Sequence, residues 1–269
     1  MTYSLKIIPI LWNLTRYRHR LLDGVMTDIR QRYIGSLVDT LWVFLYPIVQ
    51  LGIYAGLYSF IFKIRVPGLG DMGYIVLLFS GLVPLMAFSE ALNAATTSLV
   101  NNRNLLLNTV FPAELISMRA ALSAHVTSLV GLVITMGLGL MLGMTNWRAI
   151  LLVPLFWVLL LMFVIGLGWI LSLMSLVARD IQHVLGLVMS LLFVLSPFAY
   201  TPEMVPTALK PLVYLNPLSY FVLTFQKLIC YGVWPDLIAA GGAVLLSLVS
   251  FFGGFYVFQR VKYVFFDYA

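Results

Sequence analysis

The sequence predicts an all-α integral membrane protein, and three observations carry the prediction. From Ala149 to Ala178 the chain runs thirty residues without a charged side chain, where about 20 apolar residues suffice to cross the hydrocarbon of a bilayer as a helix. Hydrophobic residues make up 62% of the chain and charged residues 10%, against about 25% charged in an ordinary soluble domain. No stretch is polar enough to form a separate soluble unit. Finally, the 16 Lys and Arg residues cluster toward one side of the membrane, in the loops between the apolar runs. Their excess, a net charge of +6, follows from loop topology, and no nucleic-acid partner is expected.

The elements follow in order. Lys6, Arg16, Arg18, Arg20, Arg30 and Arg32 crowd the first part of the chain with no long apolar core and no cleavage site, so this is not a signal peptide. Tyr17, Leu21, Val25, Ile29 and Tyr33 recur every four residues, with Leu14, Leu22 and Met26 alongside, while Arg16, Arg20 and Arg30 lie largely elsewhere around the helix. Residues 1–34 therefore read as an amphipathic helix in the membrane interface; the alternative is a disordered basic tail. Residues 35–269 read as one transmembrane domain of six helices at 37–62, 74–100, 114–143, 149–178, 182–200 and 237–258. With both termini cytosolic, eleven basic residues lie inside and five outside, as the positive-inside rule requires. The segment 201–236 holds five prolines yet is too apolar for a loop in water. It reads as two short re-entrant or interfacial helices on the outer side, 203–214 and 217–231, with a single poorly formed span as the alternative.

Several chemistries have no residues to support them. None of the five lysines follows a glycine, so the chain has no phosphate-binding P-loop and no ATPase site of its own. Cys230 stands alone, which leaves no intrachain disulfide and no cysteine zinc site. His19, His125 and His183 lie on separate elements, and no metal is expected. Only Glu90 and His125 are ionisable groups clearly inside spans. Glu90 reads either as a coupling carboxylate or as part of a polar patch with Ser89, Asn93 and Thr96; His125 reads as an interhelical hydrogen-bonding group.

The first span carries a second feature. Trp42, Tyr46, Tyr54, Tyr58 and Phe62 form a four-residue series, with Gln50 filling the gap. At 3.6 residues per turn the series drifts about 40° per step, so the stripe winds obliquely along the helix. Aromatic faces can stack on the apolar faces of sugar rings while tyrosine hydroxyls form hydrogen bonds. Aromatics at span ends are commonly interface belts, an account that fits Tyr54 and Gln50 least.

A set of motifs runs the length of the chain. Arg32-Tyr33-Ile34-Gly35-Ser36 leads to Leu41-Trp42 and Pro47; Phe79-Ser80-Gly81-Leu82-Val83-Pro84 lies in the second span; Phe111-Pro112-Ala113-Glu114 follows it. Arg179-Asp180, Ser196-Pro197, Met204-Val205-Pro206 and Asn216-Pro217-Leu218 come later. In this order and spacing the chain resembles the membrane subunits of ABC-2 type polysaccharide exporters, the O-antigen, capsule and teichoic acid permeases, and is most similar to the O-antigen branch.

The resemblance implies a transport subunit that is not an enzyme. It would form a homodimer in the bacterial cytoplasmic (inner) membrane and work with two copies of a separate ATP-binding subunit, where ATP and Mg would be bound. A lipid-linked glycan would be the substrate. The stretch 101–113, with Asn101, Asn102, Arg103, Asn104, Phe111 and Pro112, would couple to the ATPase. Arg30, Arg32 and Tyr33 would lie at the entrance, and Pro197, Tyr200, Tyr214 and Tyr220 at the exit. The substrate path would be lined by Trp42, Tyr46, Gln50, Tyr54, Tyr58 and Phe88. Two rivals remain: an ABC-2 exporter of a drug or small lipid, and a membrane transferase acting on lipid-linked sugars. The transferase needs acidic residues gathered at the membrane face to hold a metal and a diphosphate. Here only Asp39, Asp180 and Glu114 lie near that face, on different loops.

Overall fold

The computed structural model describes residues 8–31, 41–103 and 112–266, and among these all regular structure is helical. Helix α1 is Ile8–Gln31, and α2, Leu41–Gly56, runs into a π-helical turn, Leu57–Ile61. Next come α3 (Asp71–Asn101), α4 (Ala113–Thr127), α5 (Leu129–Met141), α6 (Trp147–Val177) and α7 (Ile181–Leu195). A 3-10 turn at Pro202–Met204, the short α8 (Lys210–Leu215), α9 (Pro217–Ile229) and α10 (Leu237–Phe266) complete the order.

Five stretches are long and apolar enough to cross a membrane: Phe44–Ile61, Asp71–Asn101, Ala113–Met141, Trp147–Val177 and Leu237–Lys262. The chain is a multi-pass membrane protein. The crossing expected at 182–200 is shorter than the sequence suggested. It is a helix only over its 15 residues Ile181–Leu195, about 22 Å at 1.5 Å per residue, against roughly 30 Å of hydrocarbon. The helix stops at Ser196-Pro197, where proline supplies no N–H and biases the preceding residue to an extended backbone; Ser196 has ψ 135. The chain then turns through the buried Pro197, Phe198 and Ala199, whose carbonyls are taken up by other elements. Gln226 donates to Pro197 O at 2.9 Å and the Tyr74 hydroxyl to Ala199 O at 3.0 Å.

Two further expectations change in detail. The span 114–143 is present as Ala113–Met141, with a one-residue turn at Ser128, where the backbone stays helical, between α4 and α5. The expected helix 203–214 is absent as a continuous element, leaving the 3-10 turn and the six-residue α8. Pro202, Pro206 and Pro211 each remove a backbone donor, and three such losses within ten residues leave too few N–H groups to carry one continuous helix, whereas the single prolines within α2, α3 and α6 are tolerated. The second expected short helix is present as α9. Residues 37–40 of the first expected span and residues 104–111 lie outside the described residues.

Helix α3 is the centre of the bundle. Its most apolar stretch is 78% buried inside the protein, whereas along Phe44–Ile61 the figure is 6%, so α2 lies at the edge and its outer face meets lipid or another chain. Between α6 and α10 the backbones nearly touch. A Cβ placed on Gly254 would lie 2.1 Å from Gly166 O, and Ser250 Oγ donates across the crossing to Phe163 O at 2.9 Å. In lipid, helices gain little from apolar burial and associate through close packing and hydrogen bonds. Ser175 to Thr96 O at 2.6 Å, Asn216 to Ser196 Oγ at 2.8 Å and Thr145 to Ile229 O at 2.7 Å extend that pattern through the bundle.

The end of the bundle that carries α1 is held by charge. Arg119 on α4 binds Asp28 on α1 through two hydrogen bonds of 2.8 Å each, while Leu21 and Val25 of α1 are buried. Glu114, in the first turn of α4, is itself buried. Its carboxylate accepts from Gln259 at 3.0 Å and pairs with Lys262 at 3.4 Å, both on α10. The Trp169 indole of α6 donates to its backbone carbonyl at 2.8 Å. The first turns of α4 are thereby tied to α1, α6 and α10 together.

Candidate functional site: a polar and aromatic cavity inside the bundle

A cavity of about 360 Å³ opens between α2, α3, the α4–α5 turn and α7. Helix α2 contributes Tyr46, Gln50 and Tyr54; α3 contributes Met86, Ser89, Glu90 and Asn93; the turn contributes Thr127 and Ser128; α7 contributes Phe193. Along α3, Glu90 stands about 28 Å from Asp71 and about 16 Å from Asn101 at 1.5 Å per residue, so the cavity lies within the depth of the bundle. Polar groups at such depth are costly unless they have partners or line an open path.

Each polar side chain is positioned by local structure. Ser128 donates to Glu90 Oε2 at 3.2 Å and also to Ala124 O at 3.2 Å. That second bond competes with regular helix geometry, at the residue where α4 gives way to α5. Asn93 donates to Ser89 O at 2.8 Å, which fixes its amide along α3. On the α2 side, Tyr54 stacks on Tyr58 at 6.4 Å and meets Phe193 at 6.0 Å, and Tyr58 packs edge-on against Phe198 at 5.6 Å. These ring contacts hold the α2 stripe against α7 and leave Tyr46, Gln50 and Tyr54 facing the cavity. The walls so assembled present aromatic faces together with a carboxylate, two amides and hydroxyls. Such a surface can stack on the apolar face of a sugar and accept or donate to its hydroxyls; among the described residues no three His, Cys, Asp or Glu side chains gather as a metal would need.

The sequence-predicted path residues divide. Tyr46, Gln50 and Tyr54 meet at the cavity and Tyr58 supports them. Trp42, 40% exposed, is on α2 one turn before Tyr46. Phe88 does not join them: it is 1% exposed and its ring stacks on Phe163 at 5.3 Å, within the core. Glu90, Ser89 and Asn93 form the polar patch with the cavity, while Thr96 turns to Leu92 O at 2.8 Å. His125 bonds Trp157 O through Nε2 at 3.1 Å, as expected of an interhelical group. Thr127 and Ser128 were missed, and so was Phe193. The only signal for Ser128 was a hydroxyl amid an apolar run.

At the coupling stretch, Asn101 and Arg103 are exposed at the end of α3, and Asn102 donates to Ser98 O at 2.8 Å. Pro112 precedes α4 as its extended N-cap. Asn104 and Phe111 lie outside the described residues, as do Arg32 and Tyr33 at the expected entrance, where Arg30 is exposed. Of the exit residues, Tyr214 and Tyr220 line a second groove. Pro197 is buried behind it as the acceptor for Gln226, and Tyr200 donates to Leu195 O at 3.0 Å.

Comparison with known proteins decides the lineage. The ABC-2 type transporter family matches over residues 25–230, which takes in α2 to α9 and every wall of the cavity. The chain belongs to the ABC-2 type transporter family. Among its curated relatives is the O-antigen export system permease protein RfbA of Myxococcus xanthus, 27% identical over 256 residues, covering 91% of this chain and 95% of that protein. The RfbA permease of Klebsiella pneumoniae is 24% identical over 247 residues, covering 88% and 90%. The polysialic acid transport protein KpsM of Escherichia coli is 24% identical over 239 residues, covering 87% and 90%. In this ABC-2 chain three of the motifs named above fall at joints of the structure. Ser196-Pro197 ends α7, Asn216-Pro217 caps α9 with the Asn216 side chain accepting from Leu218 N at 2.9 Å, and Pro112 opens α4.

Proposed function

We propose that this chain is the channel-forming permease subunit of an ATP-driven exporter that moves a lipid-linked polysaccharide, an O-antigen, from the cytosol across the bacterial inner membrane. The observation that carries the reading is the cavity at Gln50, Tyr54 and Glu90: polar and aromatic groups converge there within an otherwise apolar bundle, in a chain whose full-length relatives include O-antigen export permeases. Two copies form the channel, and two copies of a separate ATP-binding subunit dock on the cytosolic side against Asn101–Arg103 and the stretch up to Pro112. Both termini are cytosolic. Helix α7, completed by the buried turn at Ser196–Ala199, crosses as the fifth of six spans, and α1 lies in the membrane interface beside the entrance.

ATP and Mg belong to the partner, so work enters only through the docking surface. The α4 end is suited to distribute that movement, because Glu114 and Arg119 tie it to α10 and α1. A moving polymer has to be held weakly at many places. Tyrosine faces and neutral amides supply such contacts, and Glu90 adds one acceptor that is already shared with Ser128.

Deletion of the gene in its native host, with complementation by the intact chain, tests the reading. Surface polysaccharide should disappear while its lipid-linked form accumulates at the cytoplasmic membrane, and complementation should restore export. An unchanged surface with altered drug tolerance or lipid composition would instead make the chain an exporter of small molecules. The full-length match to a polysialic acid transporter favours one second reading, export of a capsular polysaccharide, in which case the lost surface polymer is the capsule.

A further inference from the structure

The second groove lies at the other end of the bundle from Glu114 and Lys262. Ile238 and Ala239 in the first turn of α10 form part of its wall, and 24 residues separate Ile238 from Lys262, about 36 Å of helix. It holds about 440 Å³, within the size range of small-ligand sites. Three tyrosines line it: Tyr214 from α8, Tyr220 from α9 and Tyr231 just beyond α9, with Glu203, Lys227 and Asp236 between them.

The tyrosines are held in place. Tyr220 donates its hydroxyl to Tyr214 O at 2.8 Å, and its ring lies against the backbone of α10, where a Cβ on Gly242 would come within 2.4 Å of it. Tyr214 and Tyr231 are 44% and 41% exposed, so both present ring surface to the groove. Lys227 stands 5.7 Å from the Tyr231 ring centre and 3.8 Å from the Asp236 carboxylate. A hydrogen bond from Thr201, then Lys227 and Lys210, hold the Glu203 carboxyl below its ordinary range, so it stays an acceptor. The groove's lining thus carries one ammonium group, Lys227, against two carboxylates, Glu203 and Asp236. Among the described residues that line the groove there is no one-signed basic surface of the kind a polyanion needs.

We propose that this groove is a sugar-binding subsite for a short stretch of neutral glycan, with Tyr214 and Tyr231 as ring platforms and Glu203 and Asp236 accepting from sugar hydroxyls. This deepens the export reading by naming the substrate class: hydroxyl-rich and uncharged along the stretch that sits here, rather than polysialic in character. It rests on that reading for the side from which the sugar arrives, whereas its own test does not require export.

The test introduces Ile238→Cys at the groove wall, where the side chain is 74% exposed and the native Cys230 is buried. Open membranes bearing the full chain are treated with a maleimide in the presence of maltotriose or of an α2,8-linked sialic acid trimer. A site with a millimolar Kd, filled at about ten times that concentration, should slow labelling about tenfold. Maltotriose is expected to protect and the acidic trimer to leave the rate unchanged. Protection should vanish when Tyr214→Ala and Tyr231→Ala are added, and Glu203→Gln should weaken it. No protection by maltotriose, equal protection by the acidic trimer, or protection that survives the double tyrosine variant would each overturn the proposal. Failure of the gene-deletion experiment to affect any surface polysaccharide would sink the export reading and leave the labelling result standing.

Discussion

Glu114 and Lys262 form an ion pair with little exposure, 3% and 15% at the side chains, and removing one partner from such a pair costs about 3–5 kcal/mol. Lys262→Met should therefore lower the thermal stability of the purified protein by roughly that amount, and Glu114→Gln in the same chain should recover most of it because Gln259 still has an amide to bond. A melting temperature unmoved by Lys262→Met would remove the pair from the account. Glu203 is the opposite case, an exposed carboxylate whose folded pKa is depressed. Its charged-state interactions are present above the ordinary glutamate value, about 4.3, and are lost as pH falls through the lower folded value. Glu203 should accordingly remain ionised at about pH 5; a carboxyl-resolved NMR titration with its midpoint above the ordinary value would contradict the Thr201 and lysine contacts. Single residues also mark where sequence reading reaches its limit. Gln50 stood out as the one polar member of an aromatic stripe, and it does face the cavity. Phe88 could not be sorted, because α3 is apolar on nearly every side and periodicity cannot tell a core face from a path-facing one.

Among the elements, α6 was legible from thirty uncharged residues, and α1 from a four-residue apolar repeat set against arginines. The α4–α5 turn was not, since Ser128 neither lacks a donor nor strains the backbone. What singles it out is a tertiary bond to Glu90, 38 residues earlier. The stretch 203–214 was overread as helix because its apolar content outweighed its prolines, and the missing N–H groups decided the outcome. Tyr231 was left out of the exit residues although Lys227, one helical turn earlier, approaches its ring. The α6–α10 crossing offers a test at this scale. Gly254→Val must push against the Gly166 backbone and is expected to lose about 3 kcal/mol or more, with a collapse in folded yield. Gly253→Val, next to it but with no atom within 4 Å of the added Cβ, should be tolerated. Equal yields from the two variants would show that the crossing is looser than described.

The whole molecule sets a sparsely buried α2 beside a densely buried α3, with the cavity at their meeting. A channel shared by two copies would use that arrangement, because the exposed side of α2 carries Phe44, Leu45, Ile48 and Ile53 and is free to meet a second chain, while Tyr46, Gln50 and Tyr54 turn to the cavity. In the proposed cycle the α1 end would receive movement through α4, and the groove at Tyr214 and Tyr231 would receive the sugar. Glycan that passes the Gln50 cavity can be captured there. A photo-crosslinking amino acid placed at position 50 in exporting cells should yield adducts of the chain that stain for glycan, while the same group at position 133, where Val133 is 67% exposed on the outer face of α5, should yield none. Glycan adducts absent at position 50, or equally abundant at position 133, would contradict the account.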